Sequence, residues 1–314
     1  MPNKPSSQQI HARAAIKNIA VNPNLLPGLA MAVVGTLAFS GKAIIVKLAY
    51  RHGVDAVTLI MLRMLLALPV FVAMAWWASR GQAPLARKDW VGVFLLGFSG
   101  YYLASFLDFA GLAYISASLE RLILYLNPTI VMLLGLVLFK RRTTRRQMMA
   151  MAISYSGVVL VFGHEITIQG KDAVWGALLV FLSAVSYALY LVYSGEMVKR
   201  VGSLRLVGLA STVACLCCLL QFVLLRPLAA ALVPPEVLWL SLLNASVCTV
   251  LPVLLVMMAI ERIGASMTAQ TGMLGAISTI LMGVVILGEP FTMWVAAGTV
   301  LVIAGIFVFT SGRS

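Results

Sequence analysis

Runs of apolar residues long enough to cross a bilayer recur ten times along this chain. They cover 26–48, 57–78, 90–112, 116–139, 147–163, 174–198, 206–225, 237–260, 265–287 and 292–310. A bilayer core takes roughly 20 apolar residues to span as a helix. Lipid offers the backbone no hydrogen-bond partner, so each run has to satisfy its own N–H and C=O groups, and a helix does that. Of the 314 residues, 61% are apolar, against 23 basic and 10 acidic. A soluble chain carries about 45–50% apolar residues and about 25% charged ones. The balance excludes an ordinary soluble enzyme, a disordered chain and a disulfide-stapled secreted domain. Between the runs lie the polar turn 51–55, the basic loop Lys140 to Arg146, Pro234-Pro235-Glu236 and Gly288-Glu289-Pro290. The weakest breaks are 113–115 and 261–264.

The net charge of +13 would suggest nucleic acid in a soluble protein. In a membrane protein, basic residues collect in cytoplasmic loops and fix topology instead. With the N-terminus inside and ten crossings, Lys4, Arg13, Lys17, Arg80, Arg87, Lys88, Lys140, Arg141, Arg142, Arg145, Arg146, Lys199, Arg200, Arg205, Arg262 and Arg313 fall inside. Only Arg51, Lys171 and Arg226 fall outside, and Lys42, Lys47, Arg63 and Arg121 lie within spans. That bias predicts both termini cytoplasmic and no nucleic-acid partner. The polar stretch before Leu25 lacks the apolar core of a secretory signal, so the first span is expected to serve as the insertion signal.

A shift of 148 residues aligns the chain with itself without a gap. Gly28 meets Gly176. Ile115, Ala117 and Ser118 meet Ile263, Ala265 and Ser266. Gly135, Val137, Thr144 and Gly157 meet Gly283, Val285, Thr292 and Gly305. The same shift maps spans one to five onto six to ten. Five is odd, so the second half enters from the opposite side. The expected fold is therefore an all-α integral membrane protein: ten transmembrane helices as two inverted-topology five-helix repeats. The expected organisation is a tail 1–25, a first repeat 26–163, an external loop 164–173, a second repeat 174–310 and a tail 311–314. Inverted repeats with a site between them are the build of many secondary transporters.

Candidate site residues follow from where polar groups sit within spans. Asn127-Pro128 lies in the middle of the fourth span, where Pro128 deprives the Leu124 carbonyl of its helix partner. Pro252 and Asn244 lie in the eighth span, and Gln270, Thr271 and Gly272 in the ninth. Small residues and kinks also serve plain helix packing. Intramembrane charges are costly and are functional or paired. Lys42, Arg63, Asp108, Glu120 and Arg121 all lie in the outer half of the first repeat, while their repeat partners are the uncharged Tyr190, Ser211, Val256, Thr268 and Ala269. Glu120 and Arg121 are neighbours, about 100° apart on a helix, so each needs a partner on another span. One reading is an outer vestibule in which Lys42 or Arg63 meets a substrate carboxylate, with Asp108, Glu120 and Arg121 as proton-coupling or gate residues. The other is an ion-pair network that locks the outer gate. Lys47, at a span end, is expected to snorkel to water. Tyr101, Tyr125, Tyr187 and Tyr190 are candidates to stack an amphipathic solute, and the six tryptophans near span ends read as interfacial anchors.

No paired nucleophile and base appears, and the three histidines, His11, His52 and His164, fall in a tail or loops. No phosphate-binding loop is present, and Cys215, Cys217, Cys218 and Cys248 lie in apolar runs without metal-site spacing. The expectation is no enzyme, no cofactor and no metal, with a small-molecule substrate and the lipid bilayer as partners. Nothing in the sequence specifies an oligomeric state.

Tyr114 through Leu122, running to Asn127-Pro128-Thr129, has its counterpart in Gly264-Ala265-Ser266 through Ser278-Thr279 and the closing Leu287-Gly288-Glu289-Pro290-Phe291-Thr292. In these residues the chain resembles the drug/metabolite transporter superfamily, EamA type, over 26–309. Gly-Glu-Pro is typical of that family's second repeat; the first repeat departs from it with Lys140-Arg141-Arg142. The resemblance implies a central cavity lined mainly by spans one, three, four, six, eight and nine. It also implies a permease in the inner membrane and export of amino acids or related metabolites. Two rivals stay open, a multidrug exporter of lipophilic cations and a membrane receptor or scaffold without flux.

Overall fold

A computed structural model of the chain describes residues 25–139, 144–272 and 274–310, without the side chains at 139, 168, 169, 196, 260, 261, 264–267, 269, 270, 309 and 310. Among the described residues, eight helices are long and apolar enough to cross a membrane, and Leu274–Leu287 and Met293–Val308 are shorter apolar helices. The first span is Leu25–Tyr50 and the second Ala56–Ser79. The third, Arg87–Leu112, holds a π-helical stretch at Gly97–Leu103. The fourth comes in two pieces, Ala117–Leu124 and Asn127–Phe139. The fifth is Arg145–Gln169, the sixth Lys171–Val201 and the seventh Ser203–Leu225. The eighth starts at Pro235 and is π-helical at Ser246–Val250. The ninth is Leu274–Leu287 and the tenth Met293–Thr310.

Two of these bounds differ from the sequence expectation. The expected external loop 164–173 is mostly helix: the fifth span runs to Gln169, and Gly170, at φ +67°, makes the turn alone. The polar His164 and Glu165 do not end the helix because both have partners, Trp294 and Ser116. In the second repeat, helical residues continue over Leu251–Gly272, yet the chain still reverses there. Built β-carbons at Gly41, Gly35 and Gly28 of the first span meet Cys248, then Leu255 and Val256, then Ile263, descending together. Gly275 and Thr279 are back beside Ser40, and Leu287 beside Arg51. The turn therefore falls between Ile263 and Gly272, two helices abutting without an extended residue.

Packing follows an approximate two-fold. The second span packs on the seventh and the fifth on the tenth. The first packs on the eighth, and the third on the sixth. Shifting by 148 residues turns the last two pairings into each other. Single residues obey the same rule. A β-carbon at Gly28 would press on Ile263, and one at Gly176, its repeat partner, on Ile115, the partner of Ile263. Gly157 lies against the Gly298 carbonyl, and Gly305 against that of Ala150. Two π-helical stretches fall at equivalent depth, in spans three and eight, and a third, Gly283–Leu287, closes the ninth span. Pro252 accounts for the second, since it cannot donate to the Cys248 carbonyl; the Leu251 N–H instead reaches Ser246. The first forms without a proline.

The loops expected to be external gather at one end, where Arg226 pairs with Asp55 and Arg51 donates to the Leu287 carbonyl at 2.7 Å. The opposite end is tied by Arg200 to Asp89 and by Arg205 to Ser79 and the Ala83 carbonyl. All six tryptophans are about half exposed or more, at span ends.

Candidate functional site

The five intramembrane charges of the first repeat come together. Lys42 faces residues of two other spans: its ammonium hydrogen-bonds Asp108 and lies 3.3 Å from Glu120. Glu120 is fully buried, and neither of its oxygens receives a hydrogen bond. Arg121 donates to the Ser40 carbonyl at 3.5 Å. Its Nε is also 3.9 Å from Glu120, so the sequence neighbours do approach, although Glu120 finds its main partner on the first span as expected. Phe39 presents its ring to both Lys42 and Arg121, each 5.5 Å from the centroid.

Arg63 is held differently. It is buried, and its Nε donates to the Thr249 hydroxyl at 2.8 Å. Thr249 in turn donates to the Asn244 carbonyl across the π-helical turn. The guanidinium lies over the Phe109 ring at 5.1 Å. Among the described residues no carboxylate stands within ion-pair distance of Arg63. Its Nη1 has no hydrogen-bond partner, and neither do the amide oxygen and nitrogen of the fully buried Asn244. The cluster thus holds three cations against two carboxylates, and both carboxylates face Lys42.

A second polar group lies where the fourth and ninth spans are interrupted. The Tyr125 hydroxyl donates to the Gly272 carbonyl at 2.5 Å, supplying a partner to a helix end. A β-carbon at Gly275 would stand 2.9 Å from that hydroxyl and 3.0 Å from Ser40 Oγ. Ser40 donates to the Gly275 carbonyl, and Thr279 to that of Ser40. Asn127 and Pro128 begin the second piece of the fourth span, and the Asn127 side-chain oxygen has no partner. Thr271 is buried; the Gln270 side chain lies outside the described residues. The remaining tyrosines form a third group. Tyr101, within the first π-helical stretch, meets the Tyr190 hydroxyl at 3.2 Å, and Tyr187 stacks on Tyr190 with ring centroids 5.6 Å apart. Tyr187 is 36% exposed. Tyr101 is the repeat partner of Thr249, and Tyr190 of Lys42, so this aromatic group is the pseudo-symmetric counterpart of the charged one.

Three residues outside the sequence candidates complete the region. Lys47, partly buried at the end of the first span, donates to the Ile115 carbonyl at 2.7 Å. Glu165 bonds the Ser116 hydroxyl. Glu289, of the Gly-Glu-Pro turn, accepts from the Ala117 N–H at 2.7 Å, the Ser118 N–H at 3.3 Å and the Ser118 hydroxyl at 2.9 Å. In sequence, Gly-Glu-Pro signals a helix break; only the tertiary arrangement adds a cap to another helix.

The EamA-like transporter family matches the chain twice, over residues 26–163 and 174–311. The chain is similar to the uncharacterized transporter YcbK of Bacillus subtilis strain 168, at 31% identity over 83% of this chain and 86% of that one. It is also similar to an uncharacterized transporter of Archaeoglobus fulgidus, at 24% identity over 88% and 94% of the two chains. A solved structure described as "Crystal structure of protein" shares the fold with a TM-score of 0.61 and 18% identity, covering 90% of this chain and 95% of that one.

Proposed function

The chain belongs to the EamA-like transporter family, and from that premise we propose that it is a secondary permease that carries small organic solutes by alternating access, exporting amino acids or related metabolites. The observation that carries the substrate class is Arg63. An ion buried without a counter-ion costs several kcal/mol, and this one keeps a donor unpaired. A substrate carboxylate docked on Arg63 balances the cluster and uses that donor. The Tyr101–Tyr190 group supports a place for the apolar part of the solute. Lipophilic cations fit less well, because Asp108 and Glu120 already face Lys42.

Residence in the inner membrane with both termini cytoplasmic belongs to the same reading, supported by the basic bias of the alternate loops. No catalytic step is assigned to the protein, and no cofactor or metal is required.

The test is a thermal-shift screen of the full chain in detergent, with amino acids, organic acids, nucleobases and lipophilic cations, repeated on Arg63→Met. A ligand at about 100 times its Kd adds roughly 2.7 kcal/mol. Acids are expected to stabilise the parent and to lose their effect in Arg63→Met. That variant itself should melt no lower than the parent, since replacing a buried unpaired charge by an apolar side chain is neutral or stabilising. Stabilisation by cations alone would refute the carboxylate reading. Binding without counterflow in liposomes would refute transport in favour of a receptor or scaffold.

A further inference from the structure

The two ends of the protein are held by different side chains: Arg200 on Asp89 and Arg205 on Ser79 and the Ala83 carbonyl tie one end across the repeat boundary, and another set serves the Asp55 end. Four side chains draw the Asp55 end together. Glu289 caps the amino end of Ala117–Leu124 across the repeat boundary. Arg51 donates to the Leu287 carbonyl across the same boundary. Tyr50 donates to the Phe109 carbonyl at 2.5 Å, and Lys47 to that of Ile115. Beneath them Val46, one turn outward of Lys42 on the same helix face, is fully buried. Inverted repeats would place equivalent contacts at the other end. The equivalents of Glu289, Tyr50 and Lys47 are Arg141, Val198 and Gly195. Arginine cannot accept amide hydrogens, and valine and glycine carry no polar side-chain atom. Only Arg51, matched by Lys199, keeps its chemistry.

We propose that Glu289 is a cross-repeat latch that holds the outer end closed. Glu289 acts by position. It tethers the short helix that carries Glu120 and Arg121 to the turn before the tenth span, so opening the outer end requires its carboxylate to leave the Ala117 and Ser118 donors. Gly283 is part of the device, because a β-carbon there would stand 2.9 Å from the Glu289 oxygen. Glu165, bonded to Ser116 one residue before the capped amides, and Lys47, on the Ile115 carbonyl, hold the neighbouring turn.

The inference rests on the alternating-access reading, but its test needs no substrate. The readout is the rate at which a hydrophilic maleimide modifies Val46→Cys in the full chain in detergent, with Ala150→Cys, fully buried between spans five and ten, reporting general loosening. Labelled positions are assigned by peptide mapping, which separates them from the four native cysteines. Bonds to a charged acceptor are the strong ones, so Glu289→Gln is expected to speed labelling at Val46→Cys roughly tenfold with Ala150→Cys unchanged. Gly283→Ala, which keeps the carboxylate but displaces it, is expected to act in the same direction and serves if Glu289→Gln folds poorly. A Val46→Cys rate unmoved in both variants, or one that rises only in step with Ala150→Cys, overturns the latch. Failure of counterflow would refute the transport reading and leave the labelling result standing.

Discussion

Asp55 shows how much one side chain at a turn can do. It ends the polar link after the first span and caps the second, accepting from the Val57 and Thr58 N–H groups at 2.9 and 3.2 Å. It also accepts from the Thr58 hydroxyl and faces Arg226 at 3.3 Å. Partial burial pushes its carboxyl pKa up, but the Thr58 hydrogen bonds and the Arg226 guanidinium outweigh that and hold it below the ordinary value of 3.8. A carboxylate with a depressed folded pKa contributes stability above its unfolded pKa and loses it as pH falls through the folded value. Removing an N-cap costs about 1 kcal/mol. Asp55→Ala is therefore expected to melt lower than the parent near neutrality. Melting curves from about pH 6 down to about pH 3 should bring the two together. A gap that stays constant on acidification would show that the carboxylate charge is irrelevant at this turn.

Glycine at the helix contacts decides how closely the spans approach. Gly28 and Gly176 occupy equivalent places against Ile263 and Ile115, so a valine at either should force the same two interfaces apart. Overpacking of this kind costs typically 1–3 kcal/mol. Gly163 and Gly195, also helical, have open space where a β-carbon would go. There alanine should be neutral or stabilising by up to roughly 1 kcal/mol. Thermal melts of Gly28→Val, Gly176→Val, Gly163→Ala and Gly195→Ala test both halves of the argument; equal effects at all four would refute it. The spans were legible in the sequence because a bilayer demands a length of apolar chain that few other structures need, and the repeat because Gly28, Ile115 and Gly157 keep their partners at one fixed shift. The breaks at Asn127-Pro128 and near Gly272 were legible from proline and glycine. The π-helical stretches were not, since their signature is a change of hydrogen-bond register and the first lacks a proline. Glu165 reads in sequence as a loop residue, and the carbonyl partner of Lys47 was not legible, because Ser116 and the Ile115 carbonyl belong to other parts of the chain.

Across the whole molecule, a near-symmetric scaffold carries an asymmetric set of charges. The packing obeys the two-fold, the arrangement that the proposed alternating access would use in inverted repeats. The charges cannot follow, because Lys42, Asp108 and Glu120 of the first repeat map to Tyr190, Val256 and Thr268. In the proposed cycle they would stay with one half while access alternates, which makes them the place to look for coupling to an ion. Within the cluster, Lys42 is hydrogen-bonded to Asp108 and only 3.3 Å from Glu120. Neither Glu120 oxygen receives a hydrogen bond, whereas Asp108 accepts from Lys42 through Oδ2, so Glu120 can take a proton without stripping Lys42 of its hydrogen-bonded partner. If the cycle is proton-coupled, Glu120→Gln fixes the neutral state. Exchange of substrate between compartments at equal pH should then persist within a few-fold, because the Arg63 subsite and the Lys42–Asp108 pair are untouched. Acceleration by an imposed pH gradient should vanish. Counterflow in proteoliposomes, with and without the gradient, separates these outcomes. A gradient that still drives Glu120→Gln would move the proton to Asp108 or to none of these groups, and one that never drove the parent would leave facilitated diffusion through the same alternating cavity.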